Sequence, residues 1–310
     1  MTISRREFLT SAVAGTAAMT VSNITGQTPP AAPETAAVAA KSDVFAGKGT
    51  AAEILPKIME KAGGIGRFVK AGSRIMIKPN MSFGNPPEWG TGTSPESVYT
   101  LAKMCLDAGA KRVIVCDNTL RDPEECKRAT GIGDVVKKLK GTVLYIPKED
   151  SMFVNKTDDR PKQLKTVDVV KEYYQVDAVL SISAAKTHSA SGVSMNLKGL
   201  MGLIKDRGIF HREYDMDTAI AEQLYYMRPT FSIVDATRAL LDNGPAGPGK
   251  VVELKTFVAG IDPVSVDSYA VTLAPWYGRT FEGKQVKHIK YASDLGFGNA
   301  ESSKINTITV

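Results

Sequence analysis

The sequence predicts an α/β protein: a mostly parallel sheet with helices on both faces, doubly wound in the Rossmann manner. Three observations carry that reading. Apolar runs of strand length alternate with helix-length amphipathic stretches from residue 74 onward. The runs are continuously apolar, as in strands buried on both faces. Several intervening stretches open on capping residues, the signature of helices that cross over a sheet.

Residues 74–80 (RIMIKPN) read as the first strand. Ser94-Pro95-Glu96 then opens a helix to about Ala108, with serine at the N-cap, proline at the first helical position and an acid in the first turn. Gly109 ends it. Residues 112–118 (RVIVCDN) form a second strand, and Asp122-Pro123-Glu124-Glu125 caps another helical region. Residues 142–146 give a third strand, and a polar stretch follows from 148 to 166. Residues 166–174 are expected to be a short helix. Further strands are expected at 178–183, 231–235 and 255–259, helices at 216–226, 264–273 and 285–295, and an edge strand at 305–310. The segment 186–215 is rich in Gly, Ser and Lys. It is too long for a plain connection and is expected to be a functional loop holding at least one helical turn.

Composition sets limits. The 310-residue chain is 43% hydrophobic and 23% charged, ordinary for a globular protein, with a formal net charge of +6. The basic residues are spread out, and no nucleic-acid-binding signature accompanies them, so a small anionic ligand is the expected partner rather than nucleic acid. The cysteines are Cys105, Cys116 and Cys126, without a C-x-x-C pair. Their number and spacing do not suit an iron–sulfur cluster, and buried apolar thiols are expected.

Ser4-Arg5-Arg6-Glu7-Phe8-Leu9 resembles the twin-arginine export motif, and a weakly apolar run from Thr10 to Val21 follows it. That run is too short and polar to span a bilayer. Ala37-Val38-Ala39 then offers a small-residue cleavage pattern. The expected organisation is a signal peptide and Ala/Pro-rich tail over 1–40 and one α/β domain over 41–310. The expected route is the twin-arginine export machinery, to the periplasm or beyond, with no membrane span in the mature chain.

Ligands of open α/β sheets bind beyond the carboxyl ends of the strands. Here strand after strand ends in polar residues: Lys78 and Asn80, Asp117, Lys186 and His188, Asp235, and Asp262 with Asp267 shortly after. If all the strands run parallel, these ends share one edge. A strand-end Asp is also a common helix N-cap, and Asp117 or Asp262 taken alone fits that role. His211 and His288, taken singly, read as surface or satisfied histidines. His188 stands out, because Lys186 and Lys198 nearby hold it neutral, ready to serve as a base or metal ligand. Asn196, Lys198 and Gly199 follow, with glycines that let a backbone approach an anion. Residues 242–249 (DNGPAGPG) fit either a tight surface turn or a rigid loop held against a ligand.

In order, Lys78-Pro79-Asn80, Lys186-Thr187-His188, Asn196-Leu197-Lys198-Gly199, Ile233-Val234-Asp235, Gly244 to Gly249, Asp262 to Asp267 and Gly296-Phe297-Gly298 resemble the bacterial and archaeal family named domain of unknown function 362. The resemblance implies a shared fold and a single site that gathers Lys78, Asn80, Lys186, His188, Asn196, Lys198, Asp235, Asp262 and Asp267. It implies no reaction. Some relatives carry an added ferredoxin-like segment, which this chain lacks.

The expected function is an enzyme acting on a small carboxylate or phosphate. His188, Lys186 and Lys198 are the candidate catalytic residues, and Lys78, Asn80, Asn196 and Gly199 the candidate substrate contacts. Asp235, Asp262 and Asp267 are candidate ligands for a divalent metal. The alternative is a non-catalytic binding or accessory protein for an anion, metal or cofactor.

Overall fold

The computed structural model describes residues 41–310, and the export motif and cleavage pattern lie outside them. The elements run β1 (Ser42–Lys48), α1 (Ala51–Lys61), β2 (Arg74–Pro79), α2 (Pro95–Asp107), β3 (Arg112–Cys116), α3 (Pro123–Ala129), α4 (Ile132–Lys137) and β4 (Thr142–Tyr145). Then come β5 (Phe153–Thr157), β6 (Thr166–Val170), β7 (Ala178–His188), β8 (Gly192–Ser194), α5 (Asn196–Gly199), α6 (Ile209–Arg212) and α7 (Met216–Glu222). The chain closes with β9 (Phe231–Leu240), β10 (Val251–Val252), β11 (Thr256–Gly260), α8 (Pro263–Val271), α9 (Lys287–Asp294) and β12 (Ile305–Thr309).

The main sheet has the order β12-β1-β11-β9-β7-β2-β3-β4, with β8 paired to β7 and β10 to β9. β9, β7, β2, β3 and β4 run parallel. β2, β3 and β4 step outward in one direction and β7 lies on the other side of β2, which makes the β2/β7 boundary the topological switch point. Side chains alternate between two cores: Ile75, Ile77, Val113, Val115, Leu180 and Ile233 face α1, α2 and α4. Met76, Ile114, Val179 and Val234 face α7, α8 and α9. Apolar residues at every position of a strand therefore reflect a helix layer on each side.

Two expectations need correction. β11 is antiparallel to both neighbours, β9 and β1, so its carboxyl end lies on the edge opposite to those of β2, β3, β7 and β9. The stretch between Asp235 and Thr256 contains no helix, and a parallel connection needs a crossover. Residues 166–174 begin with a strand rather than a helix: β6 pairs antiparallel with β5 in a separate two-stranded sheet, and a single-turn 3-10 helix follows. Its TVDVV sequence turns Val167 inward and leaves Thr166 exposed, the period-two pattern of β-branched residues. Strand β1, before the first predicted one, completes the far side of the sheet with β12. The segment 186–215 holds a β7–β8 hairpin, α5, a 3-10 turn and α6. All three cysteines are free and buried, and burial pushes the Cys105 thiol up to about 12. Among the described residues no helix is long and apolar enough to cross a membrane.

Candidate functional site

Every residue of the eleven-residue β7 is buried, so its last residues carry polar side chains into a closed environment. Lys186 and His188 are two apart and project from the same face. Where β7 ends beside β2, a cavity of about 370 Å³ opens. Lys186, Lys198 and Arg207 line it, as do His188, His211, Asn80 and Gly199, and among the described residues no carboxylate does.

The three cations are held differently. Lys186 Nζ donates to the carbonyl of Thr91 and lies 5.2 Å from the centre of the Phe83 ring. Arg207 donates from Nη1 to Ser82 Oγ at 3.2 Å and from Nη2 to the carbonyl of Asn118. Lys198, on the one-turn helix α5, has no hydrogen-bond or ion-pair partner among the described residues. Burial, then the Lys198 charge, brings Lys186 down to about 7. Burial, then Arg207, brings Lys198 to about 7 as well. The charge of Asp117, beneath the cavity, offsets only part of this. Concentrating like charge in a buried place is costly, and an anion in the cavity lowers that cost.

His188 is neutral for a structural reason. Its Nδ1 accepts backbone N–H groups from Ala190 at 3.2 Å and Ser191 at 3.3 Å. A ring that accepts at Nδ1 carries its proton on Nε2. Burial, then the charges of Lys198 and Lys186, lowers its pKa to about 2. This tautomer presents a hydrogen-bond donor at Nε2, and neither a base nor a free metal-binding lone pair. His211 stacks 6.3 Å from His188 between ring centres. Asn80 Oδ1 is engaged by the Ala184 N–H at 2.9 Å, which leaves its Nδ2 as the available donor.

Beneath the cavity lining lie an ion pair and a buried carboxylate that act as supports. Lys78 is fully buried, with Nζ 3.0 Å from Asp117 Oδ1 and donating to the carbonyl of Pro79 at 2.6 Å. Asp117 Oδ2 accepts the Met81 N–H at 2.6 Å. Gly202 lies directly over this pair: a Cβ there would come within 2.0 Å of Asp117 Oδ1. Asp267 reaches from α8 to the start of α5, accepting Asn196 N at 3.0 Å, Asn196 Nδ2 at 3.1 Å and Leu197 N at 2.8 Å. Burial lifts its carboxyl to about 7. The glycine–proline loop forms a wall. Gly244 N–H donates to Thr187 Oγ1 at 3.1 Å, and a Cβ on Gly244 would strike the Thr187 carbonyl at 1.9 Å.

The structure thus brings together Lys186, His188, Lys198, Asn80 and Gly199. It sets apart Lys78 and Asn196, which lie beneath the surface as supports. The three candidate metal carboxylates do not converge. Asp235 accepts from Thr237 N, Thr237 Oγ1 and Ser94 N at the entrance to α2. Asp262 caps α8 through Val264 N and Ser265 N and also accepts from Ser42 Oγ, on the opposite edge. Asp267 holds α5. Among the described residues no three His, Cys, Asp or Glu side chains are grouped to hold a metal. Arg207 and His211 are the cavity residues that strand-end reasoning did not single out. Their signal was the length of the 186–215 segment. His288 is buried and lies 3.2 Å from Asp217 Oδ1 through Nδ1.

Fold and cavity together define an α/β protein with a cation-lined ligand cavity at the switch point of a mostly parallel sheet. The family model described as Domain of unknown function (DUF362) matches residues 75–272, and the chain belongs to that family. The match contains β2, the whole of β7 to α6, and α8. The thylakoid-associated protein sll1697 of Synechocystis sp. is 26% identical over 205 residues, covering 62% of this chain and 60% of that protein. The chain therefore spans about 60% of the length of this curated relative. Among solved structures, the lactate racemase apoprotein of Thermoanaerobacterium thermosaccharolyticum aligns with a TM-score of 0.47 and 12% identity. That alignment covers 83% of this chain and 58% of the other.

Proposed function

We propose that this protein is an enzyme that binds a small carboxylate or phosphate in the β2/β7 cavity and acts on it by proton transfer. The observation that carries the reading is a cavity walled, among the described residues, by three cations and no carboxylate; one of the cations, Lys198, has no partner among those residues. Arg207 and Lys186 hold the anionic group, Arg207 through its planar fork of donors. His188 Nε2–H and Asn80 Nδ2 donate to an oxygen that gains negative charge during reaction, the arrangement that stabilises an enolate or alkoxide. Lys198, with a pKa of about 7, is partly unprotonated at neutral pH and serves as the base. Because the three candidate metal carboxylates are occupied elsewhere, a divalent metal taking part would be carried by the substrate's own oxygens.

The proposed organisation keeps 1–40 as a twin-arginine signal and tail, with the α/β domain exported folded to the periplasm or beyond. Support comes from the sequence: Ser4-Arg5-Arg6-Glu7-Phe8-Leu9, the weakly apolar run from Thr10 to Val21 and Ala37-Val38-Ala39. Changing Arg5 and Arg6 to lysine should leave the protein in the cytoplasm on fractionation. Unchanged export would refute that assignment.

Catalysis is tested by NMR in deuterated buffer, with a panel of carboxylates bearing an acidic C–H. The enzyme reading expects deuterium uptake in at least one, lost in Lys198→Gln even at ligand concentrations raised to saturate the weaker-binding variant. Binding without uptake across the panel would favour the non-catalytic alternative, an anion-binding or accessory protein, for which the same cation cluster suffices.

A further inference from the structure

A second cavity, also about 370 Å³, adjoins the first. Its walls include Phe83, Asn85, Trp89, Arg121, Glu125 and Ala246. Three separate chain segments pass from one cavity to the other with consecutive residues. Ser82 lines the first, Phe83 both and Gly84 the second; Leu120 gives way to Arg121, and Pro245 to Ala246. The two spaces therefore lie side by side and share Phe83 as a wall. The Phe83 ring has Lys186 Nζ 5.2 Å from its centre, so the shared wall reaches the cation cluster.

The walls of the two halves differ in kind. The first is cationic. The second offers two aromatic side chains and, at its rim, one guanidinium and one carboxylate with no side-chain partner among the described residues. Asn85 is fixed by donating to the carbonyl of Ala246 at 2.8 Å and to Thr91 Oγ1 at 3.1 Å, which ties the 80s loop to the glycine–proline loop. Each half alone is near the bottom of the roughly 300–1,000 Å³ span of ligand pockets, and the two together are well inside it.

We propose that the two adjoining cavities act as one cleft and take a two-part ligand. Its anionic group sits among Lys186, Lys198 and Arg207, and a planar ring sits against Trp89 and Phe83 in the second half. Aromatic side chains stack on flat rings in a way that tolerates substituents. The unpartnered rim charges of Arg121 and Glu125 suit a ring that carries both donors and acceptors. This assignment rests on the anion site proposed above and specifies what the anion is attached to.

Calorimetric titration of the full chain with two probe pairs tests it: inorganic phosphate against phenyl phosphate, and acetate against phenylacetate. The expected result is at least tenfold tighter binding of the ring-bearing member of one pair. Trp89→Ala should abolish that advantage and leave the affinity for the small anion unchanged. Lys198→Gln should weaken both members of the pair together. Equal affinity within both pairs, or a Trp89→Ala loss that falls equally on small and ring-bearing probes, would overturn the second subsite and leave the anion site standing. Failure of all four probes to bind would overturn both assignments. A gain with glucose 6-phosphate but not with phenyl phosphate would overturn the planar-ring assignment.

Discussion

Lys78 and Lys198 are both lysines near the carboxyl edge of the same parallel strands, and they do opposite things. Lys78 is fully buried, and its charge is matched by Asp117 and the Pro79 carbonyl. Lys198 faces a cavity, and no protein group among the described residues matches it. The first is part of the scaffold. The second is free to be matched by a ligand. A charged residue at a strand end is therefore not a functional residue by position alone; what decides is whether the fold has already used its charge. The same distinction separates the carboxylates: Asp117, Asp235, Asp262 and Asp267 each have their lone pairs engaged by backbone N–H groups, hydroxyls or a lysine.

Replacing each lysine should give the widest divergence between the two. Lys78→Met leaves the Asp117 carboxylate buried without its counter-charge and should destabilise the fold by about 3 kcal/mol or more. Denaturant melts would read this as a lower midpoint at constant slope. Lys198→Met removes an unmatched cation from the cavity and should leave stability unchanged or raised. It should weaken anion binding by at least about tenfold, or ~1.4 kcal/mol. If the two variants traded these phenotypes, the partner accounting would be wrong.

Next in size is the pH dependence. Burial and neighbouring positive charge bring Lys186 and Lys198 down to about 7, from the ordinary lysine value of 10.5. Between these values the unfolded chain binds more protons than the folded one, so their contribution to stability rises with pH. Below about 7 both states are protonated and the full penalty of the depressed pKa applies. The ligand-free protein should thus melt higher at pH 9 than at pH 6.5, and the difference should shrink in Lys198→Met. Anion affinity should move the other way, falling as pH rises through about 7. A stability difference identical in wild type and Lys198→Met would contradict this.

The smallest expected effect belongs to Asp262. Asp262→Ala removes the N-cap of α8 on the far edge and should cost about 0.5–2 kcal/mol, the range for lost caps. Its anion affinity should match wild type. A large binding loss would return Asp262 to the site.

Much of this was legible in the sequence. Continuous apolar runs and Ser/Pro and Asp/Pro caps are local signals, and they located β2, α2, β3, α3, β7 and β9. Lys186, His188 and Asn80 were legible because they sit at the ends of such runs, and Lys198 because it shares the glycine-containing stretch that follows His188. The direction of β11 was less visible, although the helix-free stretch after Asp235 carried the signal. The engagement of the carboxylates was not legible: Asp267 meets Asn196 across 71 positions, and Ser42 meets Asp262 across 220. Arg207 and His211 belong to a one-sided segment without periodicity, where composition marks a loop but no pattern picks out the residues that face inward.

The most direct test is a calorimetric titration of inorganic phosphate and acetate into the full-length protein at pH 6.5, with Lys198→Met and Asp262→Ala as partners. The account predicts one-to-one binding of at least one anion to wild type and Asp262→Ala, and at least tenfold weaker binding to Lys198→Met. Equal binding to all three proteins, or no binding to wild type, would contradict the assignment of the β2/β7 cavity as an anion site.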